Sequence, residues 1–364
     1  MTKGIRLLLL GVATTVSLAF AGSALAAFTP TMSVSAKPSR TGATGLSAIR
    51  VTVPRDDDAL ARIQIFAPSG YTATFGQAGG AQIGSISAQV QVREPIAGAV
   101  LPITGTILVT DAATVGAAVT LCTGSPMHTA LWVLVLSASG TELRVPVAVD
   151  QAAGPVAAFA SYVVTICLPN PNIPVEQGGA TFGAKLIQAQ LNIRNVFGTP
   201  ASAGDFVWRA VATPWPNGPG APVAANTREA RAHILLPTGL TVAAKAGKKV
   251  RGVRTVTISG NARENTSGIS GASVRITVGR TTKTVTTSAN GAYKTTFRLR
   301  KGRYTASVGL TVEERTAPSP CATAGPFAPI PCATETLPFY EAVTSPIPAA
   351  DSTFLTASRA IRVK

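Results

Sequence analysis

Residues 86–92 read Ile86-Ser87-Ala88-Gln89-Val90-Gln91-Val92, an apolar side chain at every second position with a hydroxyl or amide between. Successive side chains of an extended chain point to opposite faces, so this run offers one face to a core and one to water. The same beat recurs upstream, where Ile49, Val51 and Val53 alternate with Arg50 and Thr52. Downstream, Leu143, Val145, Val147 and Val149 alternate with Arg144, Pro146 and Ala148, and Ile187, Ala189, Leu191 and Ile193 with Gln188, Gln190, Asn192 and Arg194. Turn formers such as Ala67-Pro68-Ser69-Gly70, Gly79-Gly80 and the stretch from Pro214 to Pro222 separate such runs. Apolar residues at three-to-four spacing between two capping signals are not found, so no helix is predicted. Many short half-buried strands between Gly and Pro turns predict an all-β chain.

Composition narrows the classes. The chain has 364 residues, 46% hydrophobic and 13% charged, which is too apolar for a disordered polyelectrolyte and long enough for one large domain or two ordinary ones. Four Cys are too few for a disulfide-dense miniprotein, and two His leave little for metal or acid–base chemistry. Residues 1–26 carry Lys3 and Arg6, then an apolar stretch from Leu7 to Gly22, then Ala24 and Ala26, the order of a secretory signal peptide. Export implies an oxidising compartment, where Cys122, Cys167, Cys321 and Cys332 are expected as disulfides. Four Cys allow three connectivities; proximity favours Cys122 with Cys167 and Cys321 with Cys332. The string Leu101-Pro102-Ile103-Thr104-Gly105 resembles a sortase sorting signal without that signal's context, and is read as a turn entering a strand at Thr106–Val109.

Charge divides the chain more sharply than apolarity. Residues 27–237 hold 12 Lys/Arg and 10 Asp/Glu, residues 238–316 hold 15 and 3, and residues 317–364 hold 3 of each. The step coincides with Leu236-Pro237-Thr238-Gly239, so four regions are expected. They are a signal peptide (1–26), a large antiparallel β-sandwich (27–237), a small sandwich (238–316) and a Pro-rich, disulfide-looped tail with a terminal strand (317–364).

In the small region, Val256-Thr-Ile-Ser-Gly260, Gly268-Ile-Ser-Gly-Ala-Ser-Val274, Ser288-Ala-Asn-Gly-Ala-Tyr293 and Phe297-Arg-Leu-Arg-Lys-Gly-Arg-Tyr304 carry a resemblance. This stretch resembles the carboxypeptidase regulatory-like family and related bacterial Ig-like modules. The resemblance implies a small extracellular Ig-like or transthyretin-like β-sandwich that accompanies other domains and brings no catalytic residues. Residues 27–237 resemble secreted β-rich bacterial proteins.

Alternation places Tyr293, Thr295, Phe297 and Leu299 inward and Lys294, Arg298 and Arg300 outward, with Val274, Ile276 and Val278 inward and Arg275 outward. Asn290-Gly291 is expected to supply the tight turn. One basic face is thus expected from Arg275, Lys294, Arg298 and Arg300, approached by Lys245, Lys248, Lys249 and Arg251. Its summed field suits an anionic envelope polymer or surface. Nucleic acid is not expected, since no exposed aromatics interleave for base stacking. Asp56-Asp57-Asp58 lacks the spaced ligand pattern of a calcium loop and is read as a solvated turn, with calcium left open. Trp215, between Pro214 and Pro216, is the candidate platform for a sugar ring, while Trp208 is assigned to the core. His128 and His233 stand alone, His233 on an exposed strand face, and no nucleophile elbow, HExxH or phosphate loop accompanies them. The reading is a non-catalytic, cofactor-free structural or adhesive protein of the cell envelope or exterior. A carbohydrate-binding protein is the first alternative and a hydrolase the second.

Overall fold

The computed structural model describes residues 28–138, 140–264, 267–311, 321, 324–327, 330–336 and 355–363; the expected signal peptide lies outside them. The chain is all-β, with several antiparallel sheets. Strands run in the spatial order Thr31–Lys37, Thr44–Thr52, Lys185–Gly198, Gln82–Gln91, Val100–Thr110, Ala130–Ala138, Thr141–Gln151, Ala160–Cys167, Leu60–Pro68, Gly204–Pro214, Arg228–Leu236 and Cys332–Thr336. All neighbours are antiparallel except the last pair. The sheet rolls on itself until its ends touch, where Thr334 Oγ1 donates to the Pro30 carbonyl at 2.7 Å. Its two halves face each other across one core that draws on Ile49, Ile86, Trp132, Ile193 and Trp208.

The small body has a sheet centred on Val253–Glu264, flanked by Ala243–Val250 and Ala292–Arg300 in its first half and by Thr238–Leu240 and Ser267–Gly268 in its second. A second sheet runs Thr281–Thr286, Ser273–Val278, Gly302–Thr311, Leu355–Val363. Val256, Phe297, Ile276 and Val308 form part of the core between them. The tail strands divide: Cys332–Thr336 extends the large sheet and Leu355–Val363 the small one. Thr238 seats the small body on the large one, its N–H donating to the Ser39 carbonyl at 2.8 Å and its hydroxyl 2.6 Å from that of Ser39.

Several expectations need correction. A helix spans Ala112–Thr123; Asp111 caps it by accepting from the Thr114 N–H at 2.9 Å, and Gly124 ends it in the left-handed region at φ 75°. Cys122 therefore sits in a last helical turn rather than a strand. Leu101–Gly105 is strand, not turn. Pro102 pairs only with Gln89, beyond the point where the next strand joins at Thr104, so its missing N–H breaks no ladder. At Gly105 a Cβ would lie 2.2 Å from the Val135 carbonyl oxygen, so only glycine lets the two strands approach. Gln188, Gln190 and Asn192 do not face water: they are buried, with Arg50 Nε and Nη2 donating to Gln190 Oε1 and Gln190 Nε2 to Asn192 Oδ1. The turn at 288–291 does not close a hairpin, because it carries the chain from one small sheet to the other; Gly291 (φ 76°) supplies the positive φ.

The disulfides are Cys122–Cys167 and Cys321–Cys332, with Cα separations of 5.9 and 5.6 Å. They fit an extracellular protein, and among the described residues no helix is long and apolar enough to cross a membrane.

Candidate functional site

Residues 238–311 contain fourteen Lys/Arg and a single acid, Glu264, which is buried. Strand alternation turns Tyr293, Phe297 and Leu299 into the core and leaves Lys294, Arg298 and Arg300 exposed. Registration sets Ser259, Thr255 and Val253 beside them and Lys245 on the next strand opposite Thr257, so Lys245 shares that outer face. At the tip, Val250 pairs with Val253 across Arg251 (φ 49°) and Gly252 (φ 77°), both with the positive φ of a type I′ hairpin turn. Lys248, Lys249 and Arg251 project there, all exposed. The supposed approach segment is thus a strand of the module itself.

Arg275 is not on this face. Its strand belongs to the other sheet, where Arg275 and Arg303 are exposed and Arg303 lies directly opposite Arg362. The single basic stripe read from sequence is two outer faces and a tip. Sequence alternation gives the side of a strand, whereas sheet membership depends on where the chain crosses. On the first sheet Lys249 likewise opposes Arg254. Directly opposed like charges are destabilising, yet both pairs stand without a carboxylate partner among the described residues.

Both histidines have carboxylate partners. His128 Nδ1 lies 2.9 Å from Asp150 Oδ2, and its Nε2 donates to the Ser125 carbonyl at 2.9 Å with Thr123 Oγ1 3.1 Å away. The order Thr–His–Asp is that of a hydrolytic triad, but the Thr123 hydroxyl bonds the Val119 and Ser125 carbonyls. The imidazole side chain is 2% exposed. The arrangement clasps the end of the helix to the strand Thr141–Gln151. His233 is neither alone nor exposed as expected. Its Nδ1 lies 2.8 Å from Asp205 Oδ2 and its Nε2 2.9 Å from Glu335 Oε1. The hydrogen bond to Asp205 raises its pKa above 6.5, with Glu335 adding to the rise against burial. Nearby, fully buried Glu229 accepts from Arg209 (2.5 Å) and Arg231 (2.9 Å).

Asp56–Asp58 is not simply a solvated turn. Asp57 is buried and accepts from the Thr29 N–H and hydroxyl, while Lys185 Nζ donates to the Arg55 and Asp57 carbonyls. Burial lowers the Lys185 pKa and raises that of Asp58. These groups, with Arg93, Asn172 and Asn217, line a polar cavity of about 330 Å³ at the rim of the large body. A fixed ammonium stands among the carboxylates, and no three metal-ligating side chains converge among the described residues.

Trp215 is half-buried, and its indole Nε1 donates to the Leu168 carbonyl at 3.0 Å. Asn170 and Asn172 donate to the carbonyls of Gly218 and Pro216. Together they pin the segment 169–184 across one end of the rolled sheet, so Trp215 is a strut rather than a free platform.

No protein family matches the chain, and no curated protein does. Among solved structures, a chain described as a Ca²⁺-stabilized adhesin that helps an Antarctic bacterium reach out and bind ice is similar at 13% identity, over 79% of this chain and 86% of that one, with a TM-score of 0.14. Such a score describes no shared fold.

Proposed function

We propose that this protein is a non-catalytic attachment protein of the cell envelope or exterior, held by its small sandwich to an anionic envelope polymer. The observation that carries this reading is that thirteen of the fourteen Lys/Arg in residues 238–311 are exposed, while the only acid there is buried. The charges cover two faces and a tip, which suits a long, flexible polyanion that wraps more than it suits a compact ligand. The opposed pair Arg303/Arg362 gives a bound anion repulsion to relieve. The resemblance to carboxypeptidase regulatory-like modules agrees with an accessory, non-catalytic role. So do histidines engaged in structural clasps.

The test is co-sedimentation of the chain with polygalacturonate and with purified envelope, at 0.05 and 0.5 M NaCl. Screening shortens to about 4 Å at the higher salt, so binding is expected to vanish there. The variant Lys294→Glu, Arg298→Glu, Arg300→Glu is expected to bind at least tenfold more weakly at low salt. Retention at 0.5 M, or in that variant, overturns the reading.

A further inference from the structure

The large body contains a second cavity, of about 280 Å³, beneath the segment 169–184. Ile63, Ile86, Ile103, Leu134, Ile166 and Leu191 are among its walls, and the only side chains in its lining with a polar group are Arg144 and Thr181. Arg144 and Pro169 are the exposed members of that lining, so the mouth lies between the start of the strand Thr141–Gln151 and the pinned segment. Nothing in the packing of the sheet demands this space, because neighbouring core positions such as Trp132 and Trp208 are filled tightly by aromatics.

Water is a poor occupant. It needs two to four polar partners, and such walls offer almost none. An unfilled void also forfeits the dispersion contacts of everything that lines it. A dry apolar cavity of about 150 Å³ accepts benzene, six carbons; in proportion, this one of about 280 Å³ accommodates about ten to eleven. Arg144 shares the outer face of the sheet with Val135 and pairs there with Glu142 at 2.8 Å, so its guanidinium points away from the cavity.

We infer that the cavity is a binding site for one hydrocarbon chain of about ten carbons, the acyl chain of a free fatty acid or of a membrane lipid. Branched or polar-substituted interiors are disfavoured, since the walls offer no partner for a polar group deep inside. The site is independent of the basic lobe and stands or falls separately from the attachment reading.

The test is calorimetric titration of the full chain with decanoate, hexanoate, hexadecanoate and decanol, alongside extraction of a fluorescent decanoyl lipid from neutral phosphatidylcholine vesicles. Neutral vesicles keep the basic lobe out of the measurement. One site is expected, tightest for the ten-carbon chain. Leu143→Trp at the half-exposed mouth and Ala189→Phe in the interior are each expected to weaken binding at least tenfold. Decanol is expected to bind as decanoate does, which separates the cavity from the basic lobe. Leu143 is at the rim, so its variant folds even where the larger interior side chain does not. Uptake of decanoate alone identifies a free acid, and uptake of the vesicle lipid alone a membrane source; either supports the site. No binding by any of these probes, or unchanged binding in Leu143→Trp, overturns it.

Discussion

The two bodies of this protein use charge in opposite ways. In the rolled sheet, charged side chains on the face away from the core are covered and find partners: Arg209 and Arg231 converge on Glu229, His233 lies between Asp205 and Glu335, and Arg50 bonds Gln190. In the small sandwich the cations turn outward, and the lone described acid is buried. Charge is structural in one body and superficial in the other, so the same kind of substitution should have opposite consequences in the two.

The largest effect is expected from Glu229→Ala, which removes the fully buried carboxylate that Arg209 and Arg231 share. Breaking such a cluster costs about 3–5 kcal/mol, measurable as a lower urea midpoint with an unchanged slope. A loss under about 1 kcal/mol would erase the contrast drawn above. Next is Cys122→Ser with Cys167→Ser. The bond spans 45 residues, and removing it releases about 2–4 kcal/mol of unfolded-chain entropy, to be read by the same titration. The smallest change from charge substitution is expected in the other body, where Lys294→Glu, Arg298→Glu and Arg300→Glu together should shift stability by less than about 1 kcal/mol while weakening salt-sensitive binding at least tenfold.

His233 sharpens the comparison through pH. Its pKa is raised in the fold, so its stabilising contribution is complete below about 6.5 and fades as pH climbs through the raised native value. Melting temperature should therefore decline across that window in the wild type and stay flatter in His233→Gln. An identical profile in both would show that the Asp205–His233–Glu335 chain does not hold the tail.

What could be read from the residues follows the physics of one-sided burial. Strands such as Gln82–Gln91 announce themselves because water on one face forces alternation. The helix Ala112–Thr123 does not, since its residues are nearly all Ala, Val, Leu, Thr or Gly, and only Val115 and Val119 are buried while Leu121 is 90% exposed. Asp111 and Gly124 were the readable signal there. Lys185–Gly198 misleads for the opposite reason: its polar face is covered and bonded rather than wet. The cations of the small body were visible individually, but their division between two sheets hangs on the crossing at 288–291. The partners of His233 lie 28 and 102 residues away, a distance no local pattern spans. The apolar cavity is a deficit of volume among ordinary core residues and leaves no mark in their order.

The strand Leu355–Val363 sits at the rim of the second small sheet, with Gly302–Thr311 as its sole neighbour in the ladder among the described residues. It acts as a cork: cut the chain between Thr336 and Leu355, and the final segment becomes a separate peptide able to leave. Its departure would bare a row of unpaired amides and carbonyls, ready to accept any extended peptide of matching pattern. A proteolytic nick at that point would thus turn a self-contained lobe into one that polymerises or captures foreign strands.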